Sequence, residues 1–166
     1  MPLSFLPAII TEKLTDVTPE LLRERSIRLL MLDFDNTIVP YTTTVPTAEM
    51  ETWLQDMNHL QDIQLCIVSN SRNDRVPKFC RERNIAVITH AKKPFPRGIN
   101  ECLQKYNIPA KEAALVGDQI FTDTLGANNA GVTPILVKAI DNHNFWLKAR
   151  HVLELPFIFA ARKRRI

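Results

Sequence analysis

The chain has 166 residues, 45% of them hydrophobic and 23% charged, which is the size and composition of one globular domain and excludes a disordered chain. Its formal charge of +3 comes from the last residues, since Arg162, Lys163, Arg164 and Arg165 carry +4 and leave 17 basic against 18 acidic groups elsewhere. That balance argues against a nucleic-acid enzyme with a basic face.

No apolar run reaches the eighteen or so residues that cross a bilayer. Residues 1–11 lack the basic start and small-residue cleavage site of a signal peptide. Cys66, Cys80 and Cys102 are odd in number and have no C-x-x-C spacing, which speaks against a zinc site or disulfide framework and for a reducing cytoplasm. With only four glycines and neither G-x-G-x-x-G nor G-x-x-x-x-G-K-[ST], a dinucleotide fold and a P-loop are excluded as well.

In chain order, Thr18-Pro19-Glu20 predicts a capped helix start. Leu29–Leu32 is a continuous apolar run ending in Asp33. Thr47 caps a helix in which Met50, Trp53, Leu54, Met57 and Leu60 recur at helical spacing. Leu65–Val68 then runs into Ser69-Asn70, a helix with Val76, Phe79 and Cys80 follows, and Ala86–Thr89 is the next strand. A helix with Ile99, Cys102, Leu103 and Tyr106 comes after Pro94 and Pro96. Ala113–Val116 leads into Gly117-Asp118, a helix spans about 121–130, and Thr133–Val137 closes the series.

Five short apolar strands alternating with helices predict an α/β fold, a parallel sheet with helices on both faces. The whole chain, 1–166, reads as a single domain with a core over about 28–137 and atypical ends. Ligands of such sheets bind beyond the carboxyl ends of the strands, and Asp33, Ser69 and Asp118 each stand at one.

The residues at those ends carry phosphoryl-transfer chemistry. Asp33 and Asp35 are two carboxylates two apart, which repel unless a cation separates them or one keeps a proton. Magnesium can hold one ionised as a nucleophile while the other handles protons. Asp118 could complete an oxygen-rich magnesium site with Asp33, and Asp123 could orient it from behind. Lys93 would offset the repulsion between an anionic nucleophile and an anionic phosphate, and Ser69 and Asn70 offer a hydroxyl and an amide to phosphate oxygens. Helix capping, turns and solvated surface explain each of these residues singly.

Taken in order, Asp33-x-Asp35-x-Thr37, Ser69, Lys93-Pro94 and Gly117-Asp118-x-x-x-x-Asp123 resemble the four motifs of the haloacid dehalogenase-like superfamily. The resemblance implies a three-layer Rossmann-like sheet ordered 3-2-1-4-5. It implies an aspartyl-phosphate on Asp33, with Asp35 as general acid and then base. Phosphate would be held by Ser69 and Lys93, and Mg²⁺ by Asp33, the Asp35 carbonyl and Asp118. An acid at position 35 favours phosphatase over dehalogenase chemistry. The Asp35-Asn36-Thr37 wording and Val116–Gln119 look like the class III, YqeG-type bacterial phosphatases, which are related to phosphatidylglycerophosphate phosphatases. Ser71 stands where many relatives would carry Asn.

A rival reading takes Cys66…Arg72 as the C-x5-R of cysteine-dependent phosphatases, but Cys66 lies inside an apolar strand run and no glycine shapes an anion nest. His59, His90, His143 and His151 have no metal-site spacing, and neither Trp53 nor Trp146 implies a cofactor.

Thirty-one residues separate Thr37 from Ser69 and 23 separate Ser69 from Lys93, too few for a separate cap domain. The loop Val39–Pro46 is the nearest available flap. An uncapped enzyme of this kind suits a phospholipid or other large phosphate monoester. The alternatives are a soluble sugar or nucleotide phosphate with closure by oligomerisation, and a non-catalytic binding protein. Apolar residues near the start (Leu3, Phe5, Leu6, Ile9, Ile10) and before the basic tail (Leu153, Leu155, Phe157, Ile158, Phe159) suit a cytoplasmic protein held peripherally on the inner face of a membrane. The same residues could instead pack on the core.

Overall fold

The computed structural model describes residues 4–141 and 145–163, the side chains of 145–147 excepted. Leu3, His143, Arg164, Arg165 and the Trp146 side chain lie outside the described residues.

The strands are β1 (Ile9–Thr11), β2 (Leu29–Leu32), β3 (Gln64–Val68), β4 (Ala86–Ile88), β5 (Ala113–Gly117) and β6 (Thr133–Val137). They form one parallel sheet in the order β1-β6-β5-β2-β3-β4. The five strands expected from sequence appear in the expected order, and β1 adds a sixth at the edge beside β6. Three residues are too short to show a strand period, so only pairing with β6 makes β1 visible.

The helices are α1 (Pro19–Glu24), α2 (Ala48–Asn58), α3 (Arg75–Arg83), α4 (Arg97–Tyr106), α5 (Leu125–Ala130) and α6 (Phe145–Lys163). Alternate side chains of β2 go to opposite faces. Leu30 and Leu32 join Leu22, Leu54 and Phe79 from α1–α3, whereas Leu29 and Met31 join Ile99, Cys102 and Ala127 from α4 and α5. Both faces are therefore covered, as the unbroken apolar strands require. The caps form as the sequence predicts, with Thr18 Oγ1 accepting from Leu21 N at 3.2 Å and Thr47 Oγ1 from Met50 N at 3.2 Å. Trp53 joins the core, its Nε1 donating to Val17 O at 3.0 Å.

The only structured elements between β2 and β4 are α2, β3 and α3, so no cap domain is inserted there. One further feature departs from the sequence reading, and another lies where the sequence assigned no element. The helix expected over 121–130 opens with a wide turn at Ile120–Thr124, where Gln119 O accepts from both Asp123 N and Thr124 N, before α5 begins. The C-terminal apolar stretch belongs to α6, a 19-residue helix that continues through Pro156. A mid-sequence proline argues against helix, and tertiary contacts override it: Glu154 Oε1 accepts from Ile120 N at 2.9 Å, and the Phe157 ring packs on Phe5 at 5.1 Å. The same contacts draw the N-terminal apolar stretch inward, and Ile9 is buried in β1. Among the described residues no helix is long and apolar enough to cross a membrane.

Candidate active site

Because β2, β3 and β5 lie side by side, their carboxyl ends bring Asp33, Ser69 and Asp118 together. Asp33 is still in sheet register, its N–H donating to Val116 O at 2.8 Å. The chain then leaves the strand in a tight loop, with Asn36 at φ 61°, a left-handed conformation that asparagine tolerates. Asn36 N donates to Val39 O at 2.7 Å and Ile38 N to Phe34 O at 3.0 Å. The loop sets Asp33 and Asp35 into one cavity of about 200 Å³, lined also by Tyr41, Ser69, Lys93 and Asp123.

At its floor the Lys93 ammonium lies 2.7 Å from Asp33 Oδ1 and 2.7 Å from Asp123 Oδ1. The lysine is 5% exposed, so the ion pairs are shielded from water. Burial pulls its pKa down, but Asp123 and Asp33 outweigh burial and keep it above the usual lysine range, so it stays charged. Asn70, expected to bind phosphate, grips the lysine backbone: its Oδ1 accepts from Lys93 N at 2.8 Å and its Nδ2 donates to Lys93 O at 2.9 Å. Ser69 Oγ accepts from Ser71 N at 3.1 Å, which leaves its own proton for another acceptor. Thr37 is buried, and its hydroxyl has no hydrogen-bond partner.

Asp33, Asp118 and Asp123 each bring a carboxylate oxygen within 4.8 Å of the others, the only such acidic, histidine or cysteine group among the described residues. Both carboxylate oxygens of Asp118 are buried without a hydrogen bond. Burial, then the charges of Asp123 and Asp33, push Asp118 well above the usual carboxylate range. Burial likewise lifts Asp123 to about 6 despite the opposing ammonium of Lys93. Three buried carboxylates around one ammonium leave an excess of negative charge and two orphaned oxygens, which is what a hard divalent cation satisfies. Asp123, placed behind the site by the sequence, is thus one of its three closest oxygen donors. The Asp35 carboxylate is not part of this group.

Gly117 explains how Asp123 comes so close, because a methyl group at residue 117 would run into the Asp123 side chain. Gly117→Ala therefore displaces Asp123 from Lys93. Overpacking of this kind costs about 1–3 kcal/mol, so thermal denaturation should show a midpoint lower by about 2–12 °C. A variant melting with the wild type would refute this close packing.

Sequence reasoning missed two arginines. Arg75 Nη2 lies 3.0 Å from Asp35 Oδ1, while its Nη1 donates to Tyr41 O at 3.1 Å and its Nη2 to Thr43 O at 3.2 Å. One guanidinium thus ties Asp35 to the loop that sequence singled out as a flap. Burial raises the Asp35 pKa, and Arg75 opposes that rise. The other is Arg150 on α6, whose Nη2 is 3.7 Å from Asp118 Oδ2. Arg75 sits in a polar helix start and Arg150 in a stretch with no readable period, so neither carries a local signal. By contrast Cys66 is fully buried in β3, among the side chains facing α4, and does not line the cavity. The thiolate reading has no site here.

A doubly covered parallel sheet with strand-end carboxylates around a buried lysine defines a phosphatase of the haloacid dehalogenase-like class. The match is specific, since residues 1–140 fit the family described as mitochondrial PGP phosphatase, and the chain belongs to that family. It is 32% identical over 133 residues to "Probable phosphatase YqeG" of Bacillus subtilis (strain 168), covering 80% of this chain and 77% of that one. Two solved structures share the fold. One is 3-deoxy-D-manno-octulosonate 8-phosphate phosphatase from Yersinia pestis (TM-score 0.53, 16% identity, 81% of this chain and 76% of that one). The other is the HAD-hydrolase YfnB of Bacillus subtilis bound to magnesium (TM-score 0.51, 13% identity, 66% of this chain and 86% of that one).

Proposed function

We propose that the protein hydrolyses a phosphate monoester by a double displacement at Asp33, with Mg²⁺ as cofactor and a phospholipid of the phosphatidylglycerophosphate kind as substrate. The observation that carries the reading is the buried cluster of Asp33, Asp118 and Asp123 around Lys93, with both Asp118 oxygens unsatisfied. Asp33, the Asp35 carbonyl and Asp118 would hold the ion, which when bound neutralises charge on the transferring phosphoryl group.

Asp33 contributes the carboxylate oxygen that attacks phosphorus, and the ester P–O bond breaks. Asp35 gives its proton to the departing alkoxide. The Asp35 carboxylate next takes a proton from a water whose oxygen attacks phosphorus, releasing inorganic phosphate and restoring Asp33. Lys93 and the Ser69 hydroxyl hold the phosphoryl oxygens, and Asn70 keeps Lys93 in place. Thr37 and Asp123 support the loop and the lysine.

The lipid substrate is supported by the family description and by the absence of an inserted cap between β2 and β4, which leaves room for a headgroup still seated in a bilayer. The same reading makes the protein a peripheral visitor to a membrane. Acid quenching of the enzyme mixed with labelled substrate should trap phosphate on the wild type at close to one per chain, and none on Asp33→Asn. Phosphatidylglycerophosphate in vesicles should be turned over with higher kcat/KM than any sugar or nucleotide phosphate. A soluble phosphate at the top of that ranking would overturn the lipid assignment.

Arg75 gives a separate check on Asp35. Arg75→Ala frees the flap and lets Asp35 drift, so kcat/KM, which reports transfer of the phosphoryl group to Asp33, should fall about 10²-fold for an alkyl phosphate, whose leaving group needs a proton. It should fall far less for dinitrophenyl phosphate, which needs none. Equal losses on both esters would mean that Arg75 only supports the fold.

A further inference from the structure

Among the described residues the large hydrophobic side chains most open to solvent are Tyr41, Val45, Phe95, Ile140, Val152, Leu153 and Phe159. All seven lie on the edge of the molecule that holds the active site. Tyr41 lines the cavity, and Val45 follows in the same loop. Phe95 is two residues beyond Lys93. Ile140 N donates to Asn36 O at 3.0 Å, beside the loop of Asp33 and Asp35. Val152 and Leu153 follow Arg150 on α6, which passes the carboxyl ends of β5, β6 and β1 through Arg150–Asp118, Glu154–Ile120 and Arg162–Glu12. α6 meets the body of the molecule through Glu154 and Phe157, and these side chains are left outside that contact. They stand free, Val45 at 73%, Phe95 at 70% and Leu153 at 65% exposure.

We propose that this rim is a membrane-docking surface, which sets the mouth of the active site directly on an anionic bilayer. The inference deepens the function proposed above by naming the surface through which a lipid phosphate would be reached. Charge decides the occupant. The same edge carries the exposed cations Arg72, Lys92, Lys138, Lys148, Arg162 and Lys163 against the exposed carboxylates Asp74 and Glu12, of which Glu12 pairs with Arg162 at 3.8 Å, so cations remain in excess. A second copy meeting this face would set like charges against each other, and an anionic headgroup layer would pair them. Apolar side chains next to cations are also the two signals that reversible attachment needs. At the opposite edge of the sheet exposed cations meet carboxylates, as in Arg23–Asp62 at 2.7 Å and Arg28–Glu112 at 2.9 Å. The residues used are not those of the N-terminal apolar stretch, which packs into the fold through Phe5 and Ile9.

The test is co-sedimentation of the full chain with phosphatidylserine–phosphatidylcholine vesicles, which offer no phosphate monoester to the active site. Wild type should sediment at low salt, less so at high salt, and much less with pure phosphatidylcholine. Val45→Ser with Phe95→Ser and Leu153→Ser should lower the partition coefficient at least about tenfold, with turnover of a soluble aryl phosphate unchanged. That unchanged turnover reports the chemistry independently, so a failure of docking is separable from a failure of the proposed reaction. Equal sedimentation of the triple variant, or negligible sedimentation of wild type at low salt, would overturn the proposal. So would self-association of wild type that the triple variant abolishes, because the rim would then be an interface between copies.

Discussion

Asp33→Asn should abolish turnover, by about 10⁴-fold or more, and yet leave a protein at least as stable as the wild type without metal. The first half follows from the chemistry, because a neutral amide is a poor nucleophile toward phosphorus and no other carboxylate in the cavity points at the same position from the end of β2. The second half follows from charge. Asp33 and Asp123 share one buried ammonium, and Asp118 beside them has Arg150 at 3.7 Å as a distant cation. Lys93 keeps Asp123 when Asp33 is neutralised, and Asp118 loses one repelling neighbour. Removing one of several crowded like charges at a functional site gains on the order of 1 kcal/mol, which thermal denaturation in EDTA reads as an increase of about 2–4 °C. A variant that lost activity by melting below the wild type would show Asp33 to be structural.

Removal of divalent cations should silence the enzyme, and the strength of cation binding should depend on pH in a defined direction. Asp123 holds its proton up to about 6 in the folded chain, above the usual value of 3.8, and burial is the main cause. A carboxylate with a raised folded pKa favours the fold most below its unfolded pKa. That contribution is lost as pH rises from about 4 to about 6. The metal-free protein should therefore lose stability from this group across that window. A divalent cation binds only the ionised cluster and so must displace the same protons. Magnesium should then raise the melting temperature strongly at pH 7.5 and little at pH 5, with the difference growing with concentration as expected for a ligand of the folded state. A magnesium-induced shift that is the same at both pH values, or activity that survives EDTA, would count against a cation at this cluster.

The legible part of the molecule was local. Apolar runs of four or five residues ending in Asp33, Ser69 and Asp118 announce buried parallel strands. A threonine before each of α1 and α2 announces a capped start. The expected strand order and the side chains gathered at the strand ends agree with the structure because each depends on a short stretch with a strong chemical reason to be where it is. Asp33 and Asp118 come together because β2 and β5 are neighbours, and that adjacency is already implied by the strand order.

What only the tertiary structure decided lies in segments whose local preference is weak or contrary. β1 has three residues and exists by pairing with β6. α6 runs through Pro156, against its intrinsic preference, because Glu154 and Phe157 dock on the edge of the site. From that helix comes Arg150, and from α3 comes Arg75, both separated from their aspartates by more than thirty residues. The composition of the site as a carboxylate cluster around a lysine is thus written in motifs. The charge that steadies Asp35, the charge beside Asp118 and the apolar rim around the cavity are set by long-range packing, which no periodicity or spacing records.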